Sequence, residues 1–156
     1  MPDVVTHSSP TPAAVPREPG VYASRVAGVF IHRLPLVDDP RGLLTVAESL
    51  AFEVKRFFLV FGVPSREPRG EHAHRKQHQF LVCTHGECRL TVDDGRQKQE
   101  IVLDSPTIGV HVPPMVWGVQ YQYSSDAVLL VLASGPYDAE DYIRDYGEFV
   151  KLARRY

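Results

Sequence analysis

Short apolar runs of strand length recur along this chain, over residues 28–34, 43–48, 56–61, 78–84, 88–92, 100–103 and 127–133. Clusters rich in glycine, proline and aspartate separate them, notably Asp38-Asp39-Pro40-Arg41-Gly42, His85-Gly86 and Asp93-Asp94-Gly95. None of the intervals has room for a crossover helix and no sequence repeat is visible. The pattern therefore predicts all-β architecture, a sandwich or barrel of short strands. The end of the chain changes period. From Asp138 onward, Tyr142, Tyr146, Phe149, Val150 and Ala153 recur at helical spacing, with Asp138 placed to cap the start. Lys151, Arg154 and Arg155 suit the negative end of a helix dipole. This predicts one C-terminal helix on the outside of the barrel, its aromatic stripe facing core rather than ligand. The beginning of the chain has no periodic apolar face. Pro2, Pro10, Pro12, Pro16 and Pro19 interleave with Ser8, Ser9 and Thr11, which predicts a disordered tail over 1–20 and one folded domain over 21–156.

Composition narrows the function classes. At 156 residues with 44% apolar content, the chain suits a single domain with a full core. A net charge of -2 gives no reason to expect nucleic acid or an anionic membrane as partner. No apolar run approaches membrane-spanning length and no secretory signal pattern opens the sequence, so the expected location is the cytoplasm. Cys83 and Cys88 sit in strand segments joined by a tight turn, which leaves a cross-strand disulfide conceivable. In a cytoplasmic protein a pair of buried thiols is the expectation.

Chemistry concentrates in Arg69-Gly70-Glu71-His72-Ala73-His74. Alternate side chains of a strand share a face, so His72 and His74 should point into one space. A structural role would account for either histidine alone. Two in phase, beside Arg69-Gly70 and ahead of a strand entering the core, point to a site. The spacing resembles the first motif of cupin barrels, in which a glycine, a His-x-His pair, a glutamate and a second glycine follow at fixed intervals. Gly86 holds the last of these places, but Gln79 stands where the carboxylate belongs. In the second motif Trp117, after Pro113-Pro114, stands where a further histidine belongs. A divalent cation would keep two neutral nitrogens, with His78 as a partial substitute, so neither a metal nor another cofactor is expected. Trp117 offers a flat apolar wall on which a sugar or base can stack. Nothing converges on His7, His32, His85 or His111 in the sequence, and they read as structural or surface residues.

Six segments agree with one family in order and spacing. Arg69 to His74, Phe80-Leu81-Val82-Cys83, Asp93-Asp94-Gly95, Leu103-Asp104-Ser105-Pro106, Val112-Pro113-Pro114-Met115-Val116-Trp117 and Tyr137-Asp138-x-x-Asp141-Tyr142-Ile143-Arg144 all resemble the sugar 3,4-ketoisomerases. These are cupin enzymes acting on dTDP-4-keto-6-deoxy-D-glucose, and the resemblance runs from about Val26 to Leu152. It implies a cupin jelly-roll barrel, a homodimer with exchanged strands and a metal-free active site. It puts the catalytic histidines on His72 and His74. It assigns Arg41, in the Asp39-Pro40-Arg41-Gly42 turn, and Arg69 to the pyrophosphate and the sugar. Gln79, Trp117 and Tyr121 complete the expected substrate-binding set, Tyr121 as a donor to charge developing on oxygen. The implied reaction moves a keto group from C4 to C3 through an enediol, on the way to 3-amino or 3-acetamido deoxy sugars. Gly118 to Tyr123 and Gly135-Pro136 depart from the family's usual pattern, which leaves the C4 configuration and the exact sugar open. Two alternatives also stay open. A 3,5-epimerase of the same barrel class would pair a histidine with an aspartate, and no such partner is legible near His72. A non-catalytic sugar-nucleotide-binding cupin would keep the pocket without the turnover.

Overall fold

The computed structural model describes residues 14–64 and 66–155. The strands are β1 (Gly20–Ala23), β2 (Phe30–Arg33), β3 (Leu36–Asp39), β4 (Gly42–Thr45), β5 (Arg56–Phe61), β6 (Arg69–His74) and β7 (Gln79–His85). They continue with β8 (Cys88–Asp93), β9 (Lys98–Leu103), β10 (Ile108–Val112), β11 (Trp117–Tyr121) and β12 (Val128–Ala133). A 3₁₀ turn (Ala139–Asp141), β13 (Tyr142–Ile143) and helix α1 (Tyr146–Ala153) close the chain. The antiparallel strands form a six-stranded sheet in the order β1-β2-β10-β7-β12-β5 and a five-stranded sheet in the order β13-β6-β11-β8-β9. β3 and β4 make a separate hairpin. This is the all-β barrel with a C-terminal helix that the strand pattern predicts, in the jelly-roll form that the family resemblance implies.

Alternation decides what fills the barrel. Leu90 and Val92 of β8 meet Leu129 and Val131 of β12 in one buried cluster spanning both large sheets. β7 and β10 are buried on both faces, because the loop carrying Leu50 and Phe52 covers the outward side of Phe80 and Val82. The Phe80 ring lies where a Cβ on Gly109 would be, so β10 accepts only glycine there. Cys83 and Cys88 are buried free thiols.

Two boundaries differ from the sequence reading. The helix begins at Tyr146, capped by the Asp145 side chain, which accepts from the Glu148 backbone N–H. Asp138 caps only the 3₁₀ turn. Between them Tyr142 and Ile143 pair with His74 and Ala73 of β6, and this extended pairing breaks the helical period. Ile143 and Phe149 do face core, in a second cluster with Ala73 and Trp117, but Tyr142 does not. The expected tail is also shorter at its inner end. Arg33 donates to the carbonyls of Pro16 and Val15 at 2.9 and 3.2 Å, and Val15 packs against the main core, which ties this segment down. Residues 1–13 lie outside the described residues.

Candidate active site

The site is built on an irregularity in β6. Gly118 pairs with His72, Val119 with Gly70 and Gln120 with Arg69, so Glu71 is an extra residue. Gly70 and Glu71 both take left-handed backbone, at φ 82° and 54°. A Cβ on Gly70 would come within 2.8 Å of the Gly118 carbonyl oxygen, so the bulge needs glycine. Its consequence is a change of face. Strict alternation would turn Arg69 away from His72, three residues on; the inserted residue brings both into the same cavity.

That cavity, of about 240 Å³, has an apolar floor that includes Leu81, Leu129 and Val131. Arg69, His72, Gln79, Gln120, Tyr142 and Arg144 supply its polar lining, and no carboxylate lines it. His72 and His74 stand edge to face with ring centroids 4.9 Å apart. Tyr142 lies against both, 4.7 Å from His72 and 4.5 Å from His74.

Hydrogen bonds fix the proton on each ring. Nδ1 of His74 donates to Asp141 Oδ2 at 2.9 Å, and both residues are buried. The Asp141 carboxylate also accepts backbone N–H groups of Lys76 at 2.7 Å and Gln77 at 3.3 Å, so it is held from three sides. At the other edge of the His74 ring, Gln79 Nε2 donates to Nε2 at 3.1 Å, which makes that nitrogen the basic one. A carboxylate at position 79 would place a second anion on the ring and favour imidazolium; the amide donates instead and suits the neutral ring. His72 donates from Nδ1 to the Gly70 carbonyl at 2.9 Å, leaving its Nε2 basic as well.

Electrostatics keep both imidazoles neutral. Burial pushes His72 down to about 4, more than the Gly70 carbonyl raises it, and the charges of His74 and Arg144 add to the fall. Burial also lowers His74, outweighing Asp141, with Arg56 and Arg144 contributing in the same direction. Arg56, Arg69 and Arg144 have no carboxylate partner among the described residues. Among those residues, no three His, Cys, Asp or Glu side chains form a set able to hold a metal ion.

Of the residues singled out from sequence, Arg69, His72 and Gln79 line this cavity, and His74 lies behind them against His72 and Gln79. Trp117 and Tyr121, expected from sequence to contact substrate, instead lie outside the cavity lining. Gly118 and Gln120 point into the barrel, so the intervening residues of β11 face outward. Trp117 is buried between Tyr146 and Phe149, at 5.3 and 5.6 Å. The Tyr121 hydroxyl bonds Glu100 and Thr91 on the outer side of the sheet. Arg41 sits at the tip of the β3–β4 hairpin, 89% exposed and paired with Asp39 at 2.8 Å, and is not part of the cavity lining. Asp141, Tyr142 and Arg144 were the omissions. Their segment was visible as Asp141-Tyr142-Ile143-Arg144, but the helical reading hid its pairing with β6. The His–Asp pair not legible near His72 is present on His74, across 67 positions of sequence.

Known proteins agree with this architecture. The family model described as FdtA, WxcM-like, C-terminal, matches residues 27–154. The TDP-4-oxo-6-deoxy-alpha-D-glucose-3,4-oxoisomerase of Aneurinibacillus thermoaerophilus is 48% identical over 116 residues, covering 72% of this chain and 84% of that protein. The solved WlaRB TDP-quinovose 3,4-ketoisomerase of Campylobacter jejuni superposes with a TM-score of 0.77 at 36% identity, over 81% of this chain and 99% of the other. The sugar 3,4-ketoisomerase QdtA of Thermoanaerobacterium thermosaccharolyticum, solved in complex with TDP, gives 0.80 at 32% identity, over 83% and 97%. With the match running through nearly all of the folded region, the chain belongs to the FdtA (WxcM-like, C-terminal) family, whose solved relatives here are 3,4-ketoisomerases.

Proposed function

We propose that this protein moves the keto group of dTDP-4-keto-6-deoxy-D-glucose from C4 to C3, by histidine acid–base catalysis without a metal. The observation that carries the reading is His74. It is a buried neutral imidazole with Nδ1 tied to Asp141 and its basic Nε2 held by the Gln79 amide, 4.9 Å from a second neutral imidazole. The C3 proton is acidified by the neighbouring carbonyl, and His74 takes it, giving an enediolate. Asp141 stabilises the imidazolium that results. The His74 imidazolium returns its proton to the enediolate oxygen at C4, giving the enediol. His72 takes the C3 hydroxyl proton as the carbonyl re-forms there and delivers it to C4, so that both imidazoles end neutral. Arg69 and Tyr142, which line the cavity, rather than Tyr121, are the donors to the negative charge that develops on oxygen.

Several further elements belong to the same reading: a place in the biosynthesis of 3-amino deoxy sugars, a cytoplasmic location and a strand-exchanging homodimer. For the dimer there is physical support. The β3–β4 hairpin pairs with no other strand, and Leu36, Val37, Leu43 and Leu44 on it are exposed. The edge strand β5 likewise exposes Phe57, Leu59 and Phe61. Arg41 meets a substrate only if such an assembly carries its hairpin to a pocket mouth. No helix among the described residues is long and apolar enough to cross a membrane.

The His74–Asp141 pair also suits a 3,5-epimerase, so the test must separate the two reactions. Chelator-treated protein is mixed with dTDP-4-keto-6-deoxyglucose in deuterated water and the sugar is followed by proton NMR. The expected result is a ketone at C3 with deuterium at C4, and the new couplings report the C4 configuration. Deuterium at C3 and C5 with the ketone unmoved would establish the epimerase instead. A bound but unchanged sugar would leave a binding protein.

A further inference from the structure

His74 supplies the base in this reading, yet it does not line the main cavity. It lines a recess of about 10 Å³ instead, with His72, Gln79 and Gln120 as the other polar side chains there. That volume suits one water molecule and is far too small for a sugar ring. Gln79 borders both spaces, and its Nε2 donates to His74 Nε2 at 3.1 Å. The direction of this bond is fixed from the far edge of the ring. Asp141 takes the Nδ1 proton, so Nε2 is an acceptor and must meet the amide NH2 rather than its carbonyl. The one lone pair of the base nitrogen is therefore engaged, and a C3 proton cannot reach it until the amide leaves.

The amide is held where it can turn. Gln79 opens β7, and its backbone pairs with Val112 of β10 and Ala133 of β12, so its Cα is fixed from both sides. Its side chain makes no other hydrogen bond among the described residues. In front of it lies the cavity of about 240 Å³. Rotation about the side-chain torsions carries the NH2 from the imidazole into that space without moving a strand. A buried donor that loses its acceptor is costly, so the amide leaves the ring when the cavity offers it another oxygen. A sugar carries an oxygen on nearly every carbon.

We propose that Gln79 is a displaceable cap on the base: its amide covers His74 Nε2 in the free protein and turns to an oxygen of the bound sugar, which uncovers the nitrogen beside C3. The proposal rests on the isomerase reading above and adds to it a positioning residue that acts through His74. An amide suits this task where a carboxylate does not. A glutamate would hold the imidazolium by a charge-assisted bond, whereas the amide makes one neutral bond that a sugar oxygen can replace. The base is thus open only while a sugar fills the cavity.

The test follows the His74 Nε2 resonance by NMR of the full chain with isotope-labelled histidine nitrogens, assigned by its loss in His74→Asn. An imidazole nitrogen that accepts a hydrogen bond resonates upfield of one whose lone pair is free. Gln79→Met keeps the length of the side chain without the donor, so its free-protein resonance should lie downfield of the wild-type position. Saturating dTDP-4-keto-6-deoxyglucose should move the wild-type resonance in the same direction and move that of Gln79→Met far less. Coincident free-protein resonances, or a wild-type resonance that the sugar leaves in place, would overturn the cap. Gln79→Glu preserves the size of the side chain and reports independently of whether Gln79→Met folds. With Asp141, His72, Arg56 and Arg144 unchanged around the ring, a carboxylate facing Nε2 should raise the acid limb of kcat/KM by about one pH unit or more, the lost rate returning at higher pH. An unmoved limb would mean that residue 79 does not act on the base. Failure of the isomerase reading shows separately, as a ketone that stays at C4, while the two free-protein resonances still report whether Nε2 is covered.

Discussion

His72 and His74 on β6, and His78 with His111 beside and on β7 and β10, are pairs of similar dimensions, with ring centroids 4.9 and 5.2 Å apart. Burial pushes one member of each, His72 and His111, down to about 4. Their surroundings differ. His78 Nδ1 and His111 Nε2 hydrogen-bond each other at 2.9 Å, the rings stack at 13°, and Phe52 lies over both. His32 joins them on the outer face of the sheet, against Phe80. So the outer histidines do converge, contrary to the sequence reading of His32 and His111, but they spend a lone pair on one another under an aromatic lid. In the inner pair the rings stand at 85° and each Nδ1 is tied outward, to Asp141 or to the Gly70 carbonyl. The Nε2 of His72 is thereby left for the cavity, and that of His74 accepts from the Gln79 amide at its edge. A histidine pushed down by burial is common to both pairs; a ring nitrogen directed at an open cavity is not.

The largest expected effect breaks the inner pair. His74→Asn should lower kcat about 10³-fold or more, while circular dichroism and dTDP affinity stay at wild-type values. Turnover at the wild-type rate would remove His74 from the base role. Asp141→Asn comes next, with a fall of about 10²-fold, because the imidazole loses the partner that fixes its tautomer and stabilises its cation. Since Asp141 acts through His74, the double variant should be no slower than His74→Asn alone. Additive losses would mean that Asp141 has a role independent of the ring.

Much of this contrast could be read from sequence, and the missing part has a physical cause. The His-x-His pair is legible because strands alternate, whereas the bulge at Gly70 and Glu71 beside it is not. Whether a side chain of β11 faces in or out depends on pairing register, which a bulge resets, so Trp117 and Tyr121 were misjudged. Asp141 lies 67 residues from His74 in a segment with helical periodicity; only the pairing of Tyr142 with β6 turns it inward. The outer cluster was hidden for a similar reason. His32, His78 and His111 meet across two strand pairings and a covering loop, and none has a neighbour in sequence to announce the others.

pH sharpens the comparison more gently. Both inner imidazoles must be neutral to accept protons, and burial lowers both. The acid limb of kcat/KM should therefore lie below 6.5, the ordinary histidine value, as measured by initial rates on protein shown to be folded at each pH. A limb centred above 6.5 would contradict the neutral, desolvated pair.

The smallest effect isolates the outer pair. Unfolded His111 titrates near 6.5 and the folded residue at about 4, pushed down by burial and then by His78 and His32. Between those values the unfolded chain binds a proton that the folded chain refuses. Stability present above pH 6.5 is therefore lost as pH falls toward 4, at up to about 1.4 kcal/mol per pH unit for this one group. His111→Gln removes that contribution. Chemical denaturation at several pH values should show a cost of about 1 kcal/mol at neutral pH, from the lost hydrogen bond to His78, and a shallower decline toward acid. The kcat should stay within about twofold of wild type, because His111 faces away from the cavity that His72 and His74 share. A variant with wild-type acid sensitivity would show that the outer cluster does not hold its protons off, and a variant with a large loss of turnover would show that the two pairs are coupled through β7.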